Sequence, residues 1–193
     1  MPHPSTTPLE IARELLLSAA TGWAPAQEIC GLSDALGRVL AKEQISSVDL
    51  PQTDNVAVDG YAVEAAFLAA HPGYLFKVAG TARAGHPFAG KAAPGEAVRV
   101  FTGAVMPEGP DCVIMHEDCQ ISDVGIICGK QLKSGTNMRL AGENIAAGET
   151  LAAKGVFLGA ADIGQLAAAG LSQIPVFQPL KLSLIHISEP TRL

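Results

Sequence analysis

Apolar residues recur at Ile11, Leu15 and Ala19, with Ala12 and Leu16 beside them, just after Thr7-Pro8-Leu9-Glu10. That spacing marks one face of a helix. Thr7 is placed to cap it, Pro8 suits the first helical position, Glu10 completes a capping box, and Gly22 closes the element. From Gln27 to Ser47 the pattern breaks into short pieces: QEICGL, a turn or short helix at SDALG, and RVLAKEQIS. Beyond Pro51 and the Thr53-Asp54-Asn55 cluster, YLFKVAG, EAVRVFTG, DCVIMHE and GIICGK predict short strands with Gly and Pro punctuation. GENIAAGETLAAKGVFLG reads as tight turns joining short strands, AADIGQLAAAG as a short helix capped by Gly170, and QIPVF as a last strand. The expected class is mainly β with a few helices, and not a succession of βαβ units.

One stretch interrupts the alternation. In NVAVDGYAV, residues 55–63, Val56, Val58 and Tyr61 belong in a sheet, yet Asp59-Gly60 is a turn dipeptide. Read alone, it is a hairpin turn.

Composition narrows the partners. Aromatics are 5% of the 193 residues against 48% apolar in all, so Ala, Val, Leu and Ile must fill the core. Thirteen Lys and Arg against 19 Asp and Glu give a charge of −6. That disfavours a nucleic acid or an anionic membrane as main partner and leaves room for a small anionic ligand. The first residues carry neither a basic nor an apolar signal region, and no run approaches the roughly 20 apolar residues that span a bilayer. A soluble, cytoplasmic chain is the expectation. Cys30, Cys112, Cys119 and Cys128 form no C-x-x-C pair, which argues against zinc. Cys112 and Cys128 lie in apolar runs and read as buried free thiols.

Three polar clusters are candidates for chemistry. Phe101-Thr102-Gly103-Ala104 ends a strand and offers a hydroxyl and a bare backbone N–H to an oxyanion or phosphate oxygen. In the stretch from Asn137 to Asn144, Arg139 offers a fork of donors suited to phosphate, and Glu143 pairs with it at i, i+4 only if the segment is helical. The glycine there favours a loop. Gly80 to Gly90, GTARAGHPFAG, is a Gly-rich loop with Arg83 and His86, but it lacks the context of a dinucleotide fingerprint and the lysine of a P-loop. Each cluster taken singly is more often a turn or a solvated loop than a site. No nucleophile–His–Asp constellation is present.

Taken in order and with their spacing, LPQTDNVAVDGYAV, AGHPFAG, RVFTGAVMPEGPDCVIMHED, SGTNMRLAGENIAAGETL and GAADIGQLAAAGLSQIPV resemble the molybdopterin molybdenumtransferases of molybdenum cofactor synthesis. The resemblance runs from about residue 8 to about residue 184. It implies an N-terminal helix over 1–22 and a complex, bifurcated β-sheet scaffold over 23–47 and 146–178. A β-rich domain would be inserted at 48–145, and an α/β domain would begin within 179–193. It further implies an elongated homodimer, with the active site between the α/β domain of one subunit and the inserted domain of the other. The family's reaction takes adenylylated molybdopterin and molybdate with Mg²⁺ and releases AMP. By resemblance, Asp59 is the Mg²⁺-orienting catalytic carboxylate, Gly60 permits the turn that projects it, and Thr102 is the catalytic threonine of the cleft. Gly60, Gly103, Arg139 and Glu143 are the implied substrate-binding positions. Departures stand beside these matches: Leu140 and Ala141 where relatives carry further arginines, and Asn144 where they carry aspartate. Residues from Ile185 onward, IHISEPTRL, look unrelated to the family, so the expectation is a fragment inactive alone. A non-catalytic β-rich dimerisation or scaffold module is the second reading.

Overall fold

Residues 7–181 are described by the computed structural model. In chain order come α1 (Leu9–Ala20), β1 (Gln27–Gly31), α2 (Leu32–Ala35), β2 (Gln44–Ile45), β3 (Asn55–Val56), β4 (Gly60–Val63), α3 (Ala65–Ala70), β5 (Leu75–Ala82), β6 (Glu96–Val100), β7 (Cys112–Met115), β8 (Cys119–Ser122), β9 (Gly125–Cys128), β10 (Met138–Arg139), β11 (Thr150–Ala152), α4 (Ala160–Ala168) and β12 (Gln173–Phe177). The expected tail beyond residue 181 lies outside the described residues.

Helix α1 forms where the apolar spacing puts it, but its cap differs from expectation. Ala12 N–H donates to Pro8 O (3.0 Å), which makes Pro8 the N-cap, and proline has no side-chain acceptor. Its apolar side is largely exposed among the described residues: Leu9, Leu15 and Leu16 are all more than half exposed.

Two stretches far apart in sequence then build one core. β1 pairs antiparallel with β12 and β2 with β11. Leu40, Leu158, Leu166, Ile174 and Val176 are fully buried between them. Arg38 ties the ladder by pairing with Glu28 and donating to Phe177 O (2.9 Å). The chain leaves and re-enters this unit at one point, where Leu50 and Ile145 exchange backbone bonds (2.8 and 3.2 Å).

The segment between holds a six-stranded sheet in the order β7-β4-β6-β5-β9-β8. Only β5 and β6 run parallel; the other neighbours are antiparallel. β4 lies between two strands, and all four of its residues are buried. Tyr61 and Val63 pack on one face with Phe76, Ala97 and Ile114, while Ala62 packs on the other with Val98, Val100 and Val113. A strand covered on both faces needs no polar–apolar alternation, which is why GYAV shows none.

NVAVDGYAV is therefore not a hairpin. β3 pairs with β10 in a separate small sheet, β4 belongs to the large one, and Ala57–Asp59 is the crossing between them. Helix α3 has no counterpart in the sequence reading. Its first N–H, that of Ala65, donates to Asp111 Oδ1 (2.7 Å), a cap supplied from 46 residues away. Cys112 and Cys128 are buried thiols as expected, and burial pushes Cys112 up to about 12. No helix among the described residues is long and apolar enough to cross a membrane.

Candidate functional site

Strand register brings the first two predicted residues together. Gly60 pairs with Val100, so the residue before β4 faces the residues that follow β6. Asp59 Oδ1 accepts two hydrogen bonds from Thr102, from its backbone N–H (2.8 Å) and from its hydroxyl (2.7 Å). The N–H first and the hydroxyl second hold the exposed Asp59 carboxyl below its ordinary value of 3.8, with smaller help from Arg99 and His116. Oδ2 takes no hydrogen bond from any described residue.

Gly60 serves a different purpose from the projecting turn expected of it. It lies buried in β4, outside the left-handed region, and a Cβ there would sit 1.9 Å from Ile114 O. Glycine is what lets β4 and β7 approach. Gly103 does need its conformational freedom (φ +81), but its N–H is not bare: it donates to Val56 O (2.9 Å). The hydroxyl and N–H of Thr102 and the N–H of Gly103 are thus all committed within the protein. The corner presents a carboxylate oxygen, which suits a cation, and not the oxyanion cradle that Thr-Gly suggests in sequence.

Thr102 and Gly103 share a shallow cleft of about 480 Å³ with Pro51, Ala57, Arg139 and Asn144, closed on the scaffold side by Ala168. Arg139 is ion-paired. Its Nε pairs with Glu143 Oε1, and its Nη2 donates to Asn144 Oδ1 (2.9 Å). Glu143 also accepts from Leu140 N–H (2.9 Å). The guanidinium first and that N–H second depress its carboxyl below 4.5. The i, i+4 pair forms here without a helix, because the chain turns back after β10. Ala141 N–H on Asp54 Oδ1 (2.8 Å) and Gly142 N–H on Pro51 O (2.9 Å) hold that turn.

Two residues at this end of the sheet escaped the sequence reading. Asp54 anchors the Arg139 loop. Arg99 lies 4.9 Å from the Tyr61 ring centroid and 4.7 Å from that of Phe101, and donates to Gly60 O (2.9 Å). A lone arginine inside the apolar strand EAVRV was the available signal for Arg99.

The described residues contain no group of three His, Cys, Asp or Glu side chains placed to hold a metal. A fully protein-built cage is thus absent from them. Mg²⁺ commonly keeps several waters and takes one or two carboxylates plus substrate phosphates. Asp59, exposed and with Oδ2 open, fits that single-carboxylate mode.

The comparisons with known proteins agree on kinship. Residues 7–170 match the family described as "MoeA N-terminal region (domain I and II)". The molybdopterin molybdenumtransferase of Haemophilus influenzae is 34% identical over 163 residues, covering 84% of this chain and 40% of that protein. The Nostoc enzyme of the same name is 35% identical over 166 residues, 84% of this chain and 38% of its own. A crystal structure of molybdopterin biosynthesis moeA protein from Pyrococcus horikoshii superposes with a TM-score of 0.82 at 31% identity, over 90% of this chain and 46% of that one. The chain therefore spans less than half the length of the relatives it matches. With its mainly β fold and most of its length in register with them, it belongs to the MoeA N-terminal region family.

Proposed function

We propose that this chain serves molybdenum cofactor biosynthesis as the N-terminal part of a molybdopterin molybdenumtransferase, supplying one wall of the cleft in which molybdate is inserted into adenylylated molybdopterin. The observation that carries this reading is the Asp59–Thr102 corner: an exposed carboxylate fixed through one oxygen and open at the other. Oδ2 of Asp59 would hold Mg²⁺ directly or through water, and Thr102 keeps the carboxylate aimed and ionised. When bound, the ion supplies positive charge to the phosphate oxygens of the adenylylated substrate. The exposed apolar side of α1 supports a homodimer, in which a second copy covers it.

The test is a chimera in which residues 7–178 replace the matching segment of the Haemophilus influenzae relative. The expected result is molybdate-dependent AMP release that falls at least about tenfold in Asp59→Asn. Wild-type turnover in Asp59→Asn would reduce the aspartate to a turn former. A second reading, a non-catalytic dimerisation or scaffold module, draws on the neutralised Arg139 and on Leu140 and Ala141. A folded, dimeric chimera without turnover would favour it.

A further inference from the structure

In the cleft, Thr102 and Gly103 spend their donors within the protein, and the charge of Arg139 is met by Glu143. A donor set lies just beyond the cleft. We propose that the hairpin Arg83–His86, with Thr81, is a binding site for a tetrahedral oxoanion, specifically a phosphate group.

Arg83 and His86 close a tight turn by exchanging backbone bonds (2.9 and 2.8 Å), with Gly85 at φ +74. Residues directly opposite each other in such a pair project to the same side. Thr81, two residues before Arg83, projects there as well. Together with Ala84 they line a cavity of about 380 Å³. It therefore offers a guanidinium fork, an imidazole edge and a hydroxyl, a donor set matched to phosphate oxygens. His86 Nδ1 lies 3.4 Å from Ala84 O; with Nδ1–H on that carbonyl, Nε2 donates to a phosphate oxygen only in the imidazolium form.

The arginine lies over an aromatic ring. Its Cζ lies 5.4 Å from the centroid of Phe101, the ring that also receives Arg99. No carboxylate among the described residues forms an ion pair with Arg83. In a chain of net charge −6, an arginine so placed is available to an external anion. The site also adjoins the cleft: a Cβ on Gly103 would lie 3.7 Å from Ala84 Cβ. A phosphate at the hairpin would thus sit beside the strand end that carries Thr102 and Gly103. Its link to the substrate rests on the proposed function; the phosphate site itself does not.

The experiment uses the 193-residue chain and NMR titration with inorganic phosphate, AMP and adenosine, each into the millimolar range. Saturable shifts at His86, Thr81 and the Arg83 Nε–H are expected with phosphate and AMP and not with adenosine. Arg83→Gln should weaken binding at least about tenfold, and Arg83→Lys should fall between, because it keeps the charge and loses the fork. Lys154→Gln, the same charge change on a remote turn, should leave binding unaltered. Tighter binding of AMP than of phosphate assigns the site to the substrate; equal binding assigns it to the phosphate group alone. No saturable shift at the hairpin, or the same shifts in Arg83→Gln, overturns the proposal. Neither molybdate nor turnover enters, so its failure would leave the Asp59 reading standing.

Discussion

The Asp59–Thr102 corner, which meets the cleft through Thr102, and the Arg139–Asn144 loop on the same cleft differ in what they leave open. In the corner, two donors converge on one carboxylate oxygen, and the second oxygen is left facing solvent. In the loop, the cation is met by a carboxylate and an amide, so its charge is paired within the loop. A polar side chain in a cleft is informative only once its partners are counted. By that count the aspartate keeps one oxygen without a protein partner, and the arginine ties the loop together.

The largest expected effect separates the two backbones. Gly60→Ala drives a Cβ to within 1.9 Å of Ile114 O, a rigid backbone atom, and should cost about 3 kcal/mol in urea unfolding. Gly142→Ala in the loop meets the Asp49 carboxylate at 3.1 Å with φ +73, and should cost about 1 kcal/mol. Equal losses would mean that the sheet relaxes around residue 60 as easily as the loop does.

Next comes acid. The Glu143 carboxyl is depressed by Arg139 and by the N–H of Leu140, so its contribution is fully present above the ordinary value of 4.5 and is lost as pH falls through the lower folded value. Asp59 behaves likewise below 3.8. Thermal melts taken from pH 7 downward should therefore lose stability at the acid end, and Glu143→Gln should flatten the loop's share of that slope. An unchanged slope in Glu143→Gln would show that its pair with Arg139 is no stronger in the folded state than in the unfolded one. The smallest effect is local. In Thr102→Val the backbone N–H still reaches Asp59 while the hydroxyl is gone, so the NMR-detected Asp59 titration should move part of the way back toward 3.8.

Much of this molecule was legible from periodicity. The spacing of Ile11, Leu15 and Ala19 gave α1; the apolar runs gave β6, β7 and β9; and AADIGQLAAAG gave α4. Local pattern suffices for elements whose apolar residues face one way or lie wholly buried. What it could not supply was pairing. Thr102 lies 43 residues from Asp59, and they meet only because Gly60 opposes Val100. The cap on α3 comes from Asp111, equally remote. The donors of Thr102 and Gly103 looked open in sequence because their acceptors, Asp59 and Val56, lie on other strands. Conversely, the Arg139–Glu143 pair was tied to helix formation by its spacing, yet a turn closed by Asp54 and Pro51 brings the two together equally well.

The proposed role of Asp59 requires its Oδ2 to be open to a divalent cation. Mn²⁺, a paramagnetic stand-in for Mg²⁺, should report this directly when added at trace level with AMP to the isotope-labelled chain. Resonances of Asp59, Gly60, Thr102 and Gly103 should broaden first, and Asp59→Asn should abolish the effect while leaving the fold intact. Broadening centred on Glu143 and Asn144, or broadening that persists in Asp59→Asn, would contradict the assignment of the cation to this corner.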